Sequence, residues 1–144
     1  MKADAMTETA VKAVLDKVAE GYAKRDLALV LSAFAPDPDV VMYGTGADEK
    51  RIGLAEIQAQ SERDWSQTEA AAIIYGWTSV SAAGSVAWVA SDATFNLKAD
   101  GQEMTLPARI TCVLEKRGEQ WLIVQGHFSL PAAAQGEGES FPTE

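Results

Sequence analysis

At 144 residues with 47% hydrophobic side chains, the chain fits one domain and can bury a sizeable core. Its formal charge of −9 argues against a nucleic-acid backbone or an anionic membrane surface as partner, since both need clustered Lys and Arg. No stretch approaches the roughly 18 apolar residues of a membrane span, the start MKADAMTETAVKAV has no apolar signal core, and the single cysteine, Cys112, excludes an internal disulfide, so a cytoplasmic location is expected.

Residues 1–6 are expected to be poorly ordered. Val11, Val14, Leu15, Val18, Ala19 and Tyr22 then recur at i, i+3, i+4, i+7, which predicts an amphipathic helix with Thr7 or Thr9 as its cap. Asp26 suits the cap of a second, shorter helix presenting Leu27, Val30, Leu31 and Phe34, ended by Pro36-Asp37-Pro38. A short strand, Val40 to Tyr43, follows. The loop Gly44 to Glu49 leads to a third helix, about Leu54 to Ser66, showing Leu54, Ile57 and Trp65. From Ala72 the pattern turns to strands, which turn chemistry at Ala83-Gly84, Asp100-Gly101 and Arg117-Gly118 divides into 72–82, 85–99, 102–115 and 119–130. The Ala-, Gly- and Glu-rich tail from Ala132 to Glu144 is again expected to be poorly ordered. The predicted order is ααβαββββ.

Asp100-Gly101 suits a two-residue type I′ turn, and that sets a register: Ala99 opposite Gln102, Lys98 opposite Glu103, Asp92 opposite Arg109. Two opposite-charge pairs follow from one assumption. The pairing puts Trp88, Asp92, Thr94, Arg109 and Thr111 on one face, and Val89, Phe95, Ile110 and Cys112 on the other. The first face is expected to look into a cavity. Val89, Phe95 and Leu97 would then form an outer apolar patch that a second copy covers. A simple turn at Arg117-Gly118 pairs Ala108 with His127 and sets His127 opposite to the Asp92 face; a β-bulge would reverse that.

The element order, the third helix introduced by a Gly-rich loop, and the run ARITCVLEKRGEQWLIVQGHFSLP resemble the NTF2-like superfamily, specifically its SnoaL-like branch. The resemblance implies an α+β cone, in which three helices pack in a strongly curved mixed or antiparallel sheet that encloses a hydrophobic cavity and dimerises through its outer face. It bounds the domain at 7–131. The superfamily includes ketosteroid isomerase, scytalone dehydratase, limonene epoxide hydrolase, polyketide cyclases and the kinase association domain, which is not an enzyme. Fold alone therefore selects no activity.

Asp92 and His127 are similar to the acid–base pair of the polyketide cyclases, with Arg109 or Tyr43 to stabilise developing negative charge, and Arg109 also resembles a cavity arginine of the association domain. Tyr22, Asp92 and Tyr43 supply the residue types of the ketosteroid isomerase trio without aligning to it, and the Asp-Arg-Asp set of the epoxide hydrolases lacks a second acid. His127 is the only histidine, the residue type most used for acid–base work; the plainer alternative is a histidine that orients the last strand or sits in a dimer contact. Asp92 and Arg109 equally read as a structural ion pair. Tyr43, Trp65, Trp88, Thr94, Thr111 and Phe128 are expected to line the pocket. Cys112, set in ITCVL, reads as core, and GTGADE, lacking a Lys, reads as a turn rather than a phosphate cradle. No metal-ligand spacing is present, and neither metal nor cofactor is expected. Two functions stay open. One is a cofactor-free isomerase, dehydratase or cyclase acting on a small apolar organic ligand; the other is a non-catalytic ligand-binding or dimeric association module.

Overall fold

The structure, a computed structural model, describes residues 1–143. Helix α1 (Ala5–Lys24) buries Val11, Val14, Leu15 and Val18, as the spacing requires. Its cap is Asp4 rather than Thr7 or Thr9: the Asp4 carboxylate accepts from the Thr7 N–H at 2.8 Å. Residues 1–6, expected to be disordered, are tied down, because the Ala3 N–H donates to the Val80 carbonyl at 3.1 Å and Ala3 itself is buried. Arg25, with φ of 58°, turns the chain out of α1. Asp26 caps α2 (Leu27–Leu31) by accepting from the Leu29 N–H at 3.1 Å.

Strand β1 (Val41–Tyr43) does not lead straight into a helix. It turns back into β2 (Lys50–Ile52), so the observed order is ααββαββββ. The cause lies in the loop between them, where the Gly44 N–H donates to the Glu49 carbonyl at 2.8 Å and the Glu49 carboxylate accepts from the Gly46 N–H, closing the segment as a hairpin. Helix α3 (Leu54–Ser66) starts after Gly53, whose φ of 82° suits glycine, and the Glu56 carboxylate reaches back to the Ile52 N–H at 3.1 Å.

The long strands β3 (Ala70–Ala83), β4 (Val86–Ala99), β5 (Gln102–Arg117) and β6 (Gln120–Ser129) complete a six-stranded sheet of order β2-β1-β6-β5-β4-β3, in which only β1 and β6 run parallel. The chain is thus the α+β cone expected. At the β4–β5 turn Asp100 and Gly101 have φ of 52° and 74°, and Asp92 faces Arg109 as the turn chemistry requires. Register shifts at Tyr75/Thr78 and Val113/Leu114 bend the sheet. The second sets His127 opposite Thr111 and so places it on the face of Asp92.

That face is the outer one, which corrects the expected orientation of the sheet. Helix α1 packs against the other face, where Ala87, Val89, Cys112 and Leu114 join the core. Val89, Phe95 and Leu97 therefore turn inward, two of them into the cavity described below. The physical reason is space: Ala87, Ala93 and Ala108 are small enough for helix and cavity to sit over them, whereas an inward Trp88 would fill that volume. The outer face instead exposes Ile74 (53%), Trp77 (66%) and Trp88 (37%). Among the described residues no helix is long and apolar enough to cross a membrane.

Candidate functional site

A cavity of about 270 Å³ opens between α1, α3, the β1–β2 hairpin and the concave sheet face. One wall is apolar, formed by Ile73, Phe95, Leu106 and Phe128, with the rings of Phe95 and Phe128 centred 5.6 Å apart. The facing wall is polar. Tyr22 comes from α1, Gln60 and Asp64 from α3, and Glu49 and Arg51 from the hairpin.

Helix periodicity assembles this wall. Ile57, Gln60, Ser61 and Asp64 lie at i, i+3, i+4, i+7, so the inward stripe of α3 turns polar toward its C-terminus. Tyr22 ends the apolar stripe of α1. Two contacts hold these helix ends together: the Trp65 Nε1–H donates to the Tyr22 carbonyl at 3.0 Å, and the Arg25 guanidinium donates to the carbonyls of Trp65 (2.5 Å) and Thr68 (2.7 Å). They set the Tyr22 ring beside Asp64.

A continuous hydrogen-bond network results. The Tyr22 hydroxyl donates to Asp64 Oδ2 at 2.9 Å, and Gln60 Nε2 donates to Asp64 Oδ1 at 2.7 Å and to Glu49 Oε1 at 2.8 Å. Arg51 Nε donates to Gln60 Oε1 at 2.8 Å, while Arg63 clamps the hairpin by pairing with Glu49 at 3.0 Å and Asp48 at 2.8 Å. Burial pushes the Asp64 carboxyl above its ordinary range, and the bonds from Tyr22 and Gln60 offset that only in part. Burial, reinforced by the Asp64 charge, likewise holds the Tyr22 hydroxyl protonated. The arrangement supplies a carboxylate with raised basicity and an O–H donor at the edge of an apolar chamber.

Of the residues expected to line the pocket, Phe128 does so and Tyr43 borders its mouth, with its ring 5.2 Å from the His127 imidazole. Trp65 sits behind the site, bonded to Tyr22. Asp92, Arg109, His127, Trp88, Thr94 and Thr111 all lie on the outer face and do not reach the cavity. They share a face as the register requires, but it is the face that no helix covers. Asp92 and Arg109 are both exposed, and among the described residues no ion pair joins them, so they do not form the structural ion pair that their register suggests. Asp64, Gln60, Glu49 and Arg51 belong to no motif. Gln60 and Asp64 carry one signal in the sequence, as polar residues at the inward positions of α3, and Glu49 and Arg51, on the hairpin, carry none.

A SnoaL-like domain model matches residues 11–133. No curated protein matches the chain. Among solved structures, a candidate calcium/calmodulin dependent protein kinase II association domain from Xanthomonas campestris is similar at 26% identity, covering 85% of this chain and 86% of that one with a TM-score of 0.75. An NTF2-like superfamily protein from Salmonella enterica shares the fold at 19% identity, covering 96% and 100% with a TM-score of 0.83. A candidate dehydratase of the NTF2-like family from Streptomyces avermitilis does so at 17% identity, covering 87% and 97% with a TM-score of 0.78. The match over 11–133, together with the cone and its cavity, makes the chain a member of the SnoaL-like branch of the NTF2-like superfamily.

Proposed function

We propose that the chain binds a small, largely apolar organic molecule in this cavity and moves a proton on it without a cofactor. The observation that carries the reading is the Tyr22–Asp64 hydrogen bond, set where the apolar wall meets the polar network. Asp64 takes a proton from carbon beside a carbonyl, or from a hydroxyl-bearing substrate on the way to elimination. Once protonated, it holds the Tyr22 hydrogen less strongly, which frees that O–H to donate to the oxygen where negative charge develops. The return of the proton from Asp64 to a second position completes an isomerisation, and its transfer to the departing hydroxyl, which leaves as water as the C–O bond breaks and the new double bond forms, completes a dehydration, the class named for the similar fold from Streptomyces avermitilis.

The test is exchange of the α-protons of 2-tetralone into deuterated water, followed by proton NMR. Exchange should run faster with the wild type than in buffer, fall to the buffer rate in Asp64→Asn, and drop about 100-fold in Tyr22→Phe. Equal rates for wild type and Asp64→Asn would refute the assignment of the base.

The exposed Ile74, Trp77 and Trp88 support a second element of the reading, a homodimer through the outer sheet face. Asp92, Arg109 and His127 then serve that contact rather than the chemistry. The protein acts in the cytoplasm, where its lone thiol stays reduced.

A further inference from the structure

Every strong acceptor on the polar wall already has a donor, but one strong donor has nothing to bind. Asp64 accepts on both oxygens, from Tyr22 and Gln60, and Glu49 accepts from Gln60, Arg63 and the Gly46 N–H. Gln60 is used at both ends of its amide. Arg51 is different. Its Nε is bonded to Gln60, yet among the described residues its two Nη groups have no hydrogen-bond partner and it joins no ion pair. Arg51 faces Met42 across the β1–β2 hairpin, and both residues line the cavity. A half-buried guanidinium, always charged and anchored through Nε, offers its remaining donors in the fork geometry that fits a carboxylate.

We infer that the cavity takes an organic anion, an apolar body carrying one carboxylate, with the carboxylate on the Nη groups of Arg51 and the body against Phe95 and Phe128. The inference rests on the reading of the cavity as a ligand site and adds the charge of the ligand to it. A cationic ligand fits less well, because Glu49 and Asp64 have their oxygens engaged and Arg51 would repel it. A neutral ligand would leave the guanidinium Nη groups desolvated without a partner as the mouth fills.

Three probes of similar shape separate these cases by calorimetry at neutral pH: 2-naphthoate, 2-naphthamide and protonated 2-naphthylmethylamine. Wild type should bind the naphthoate about tenfold or more tightly than the amide, and the amine most weakly. In Arg51→Met the acid and amide should come within about twofold of each other, the acid losing affinity and the amide keeping or gaining it, while Arg51→Lys recovers only part of the preference, having charge without the fork. Equal binding of all three probes would overturn the inference while leaving the cavity as a ligand site. Binding of none would overturn both. An acid preference that survives Arg51→Met, or loss of amide binding along with acid binding in that variant, would also overturn it, the latter by showing that Arg51 only props the hairpin through Gln60.

Discussion

Replacing Tyr22 with Phe removes one atom from the site and nothing else. The ring still packs near Trp65, at 6.1 Å between centroids, and the Trp65 N–H still finds the backbone carbonyl of residue 22. What is lost is the 2.9 Å bond to the Asp64 carboxylate, leaving Gln60 as its remaining donor. A hydrogen bond to a charged group is worth about 1.5–3 kcal/mol, but Asp64 keeps part of its hydration, so we expect a loss of about 1–2 kcal/mol at neutral pH. The sign of the pH dependence follows from the direction of the Asp64 shift. Its folded pKa is raised above the ordinary 3.8, so its contribution to stability is full below that value and is lost as pH rises through the folded pKa. The Tyr22 bond limits that loss. Removing it raises the folded pKa further, so the cost of Tyr22→Phe grows with pH and shrinks to roughly half, the value of a neutral hydrogen bond, as pH falls toward 3.8. Urea denaturation of wild type and variant across this range measures both quantities. A cost that does not change with pH would show that the hydroxyl does not bond an ionised Asp64, and the acid–base assignment would fall with it.

Three further outcomes follow from packing and exposure. Gly21→Ala should destabilise by about 1–3 kcal/mol, because its new Cβ would lie 2.8 Å from Val30 Cγ2 and 2.9 Å from the Val30 backbone nitrogen, and backbone cannot swing aside; the gain in helix propensity, about 1 kcal/mol, is smaller. A variant as stable as wild type in urea would contradict this. Burial pushes the Cys112 thiol up to about 12, so a disulfide reagent at mildly alkaline pH should label it only at the rate of unfolding, and rapid labelling of folded protein would show that β5 opens locally. Sedimentation equilibrium on the order of tens of micromolar should report a dimer that Trp77→Glu converts to monomer; a wild-type monomer would remove the outer-face contact.

The sequence carried most of the fold because local signals agreed with it. The 3.6-residue period marked α1, and Asp100-Gly101, with two positive φ values, fixed the register of β4 on β5. What alternation cannot say is which of two faces the helices cover. Trp88, Asp92 and Arg109 look more like a site than Ala87, Ser91 and Ala93 do, yet small residues are what a helix needs beneath it. The β1–β2 hairpin was hidden because strands of three residues show no period and are held by backbone bonds inside their loop. The bulge that moves His127 to the outer face is one extra residue on β6, Val124, between Ile123 and Gln125, with no mark in the side chains. Asp64 was legible in principle, as a polar residue at an inward position of α3, but only tertiary contact shows that Tyr22 meets it.

The central claim is that ligand enters the helix-lined chamber, and Ile73 and Ile74 are adjacent residues on opposite faces of β3 that report on it. Ile73 is buried and lines the cavity, whereas Ile74 is 53% exposed on the outer face. Titration of methyl-labelled protein with 2-tetralone should shift the Ile73 methyl resonances, along with those of Leu106, and leave Ile74 in place. Shifts at Ile74 with Ile73 unmoved would put the binding site on the outer face and contradict the account.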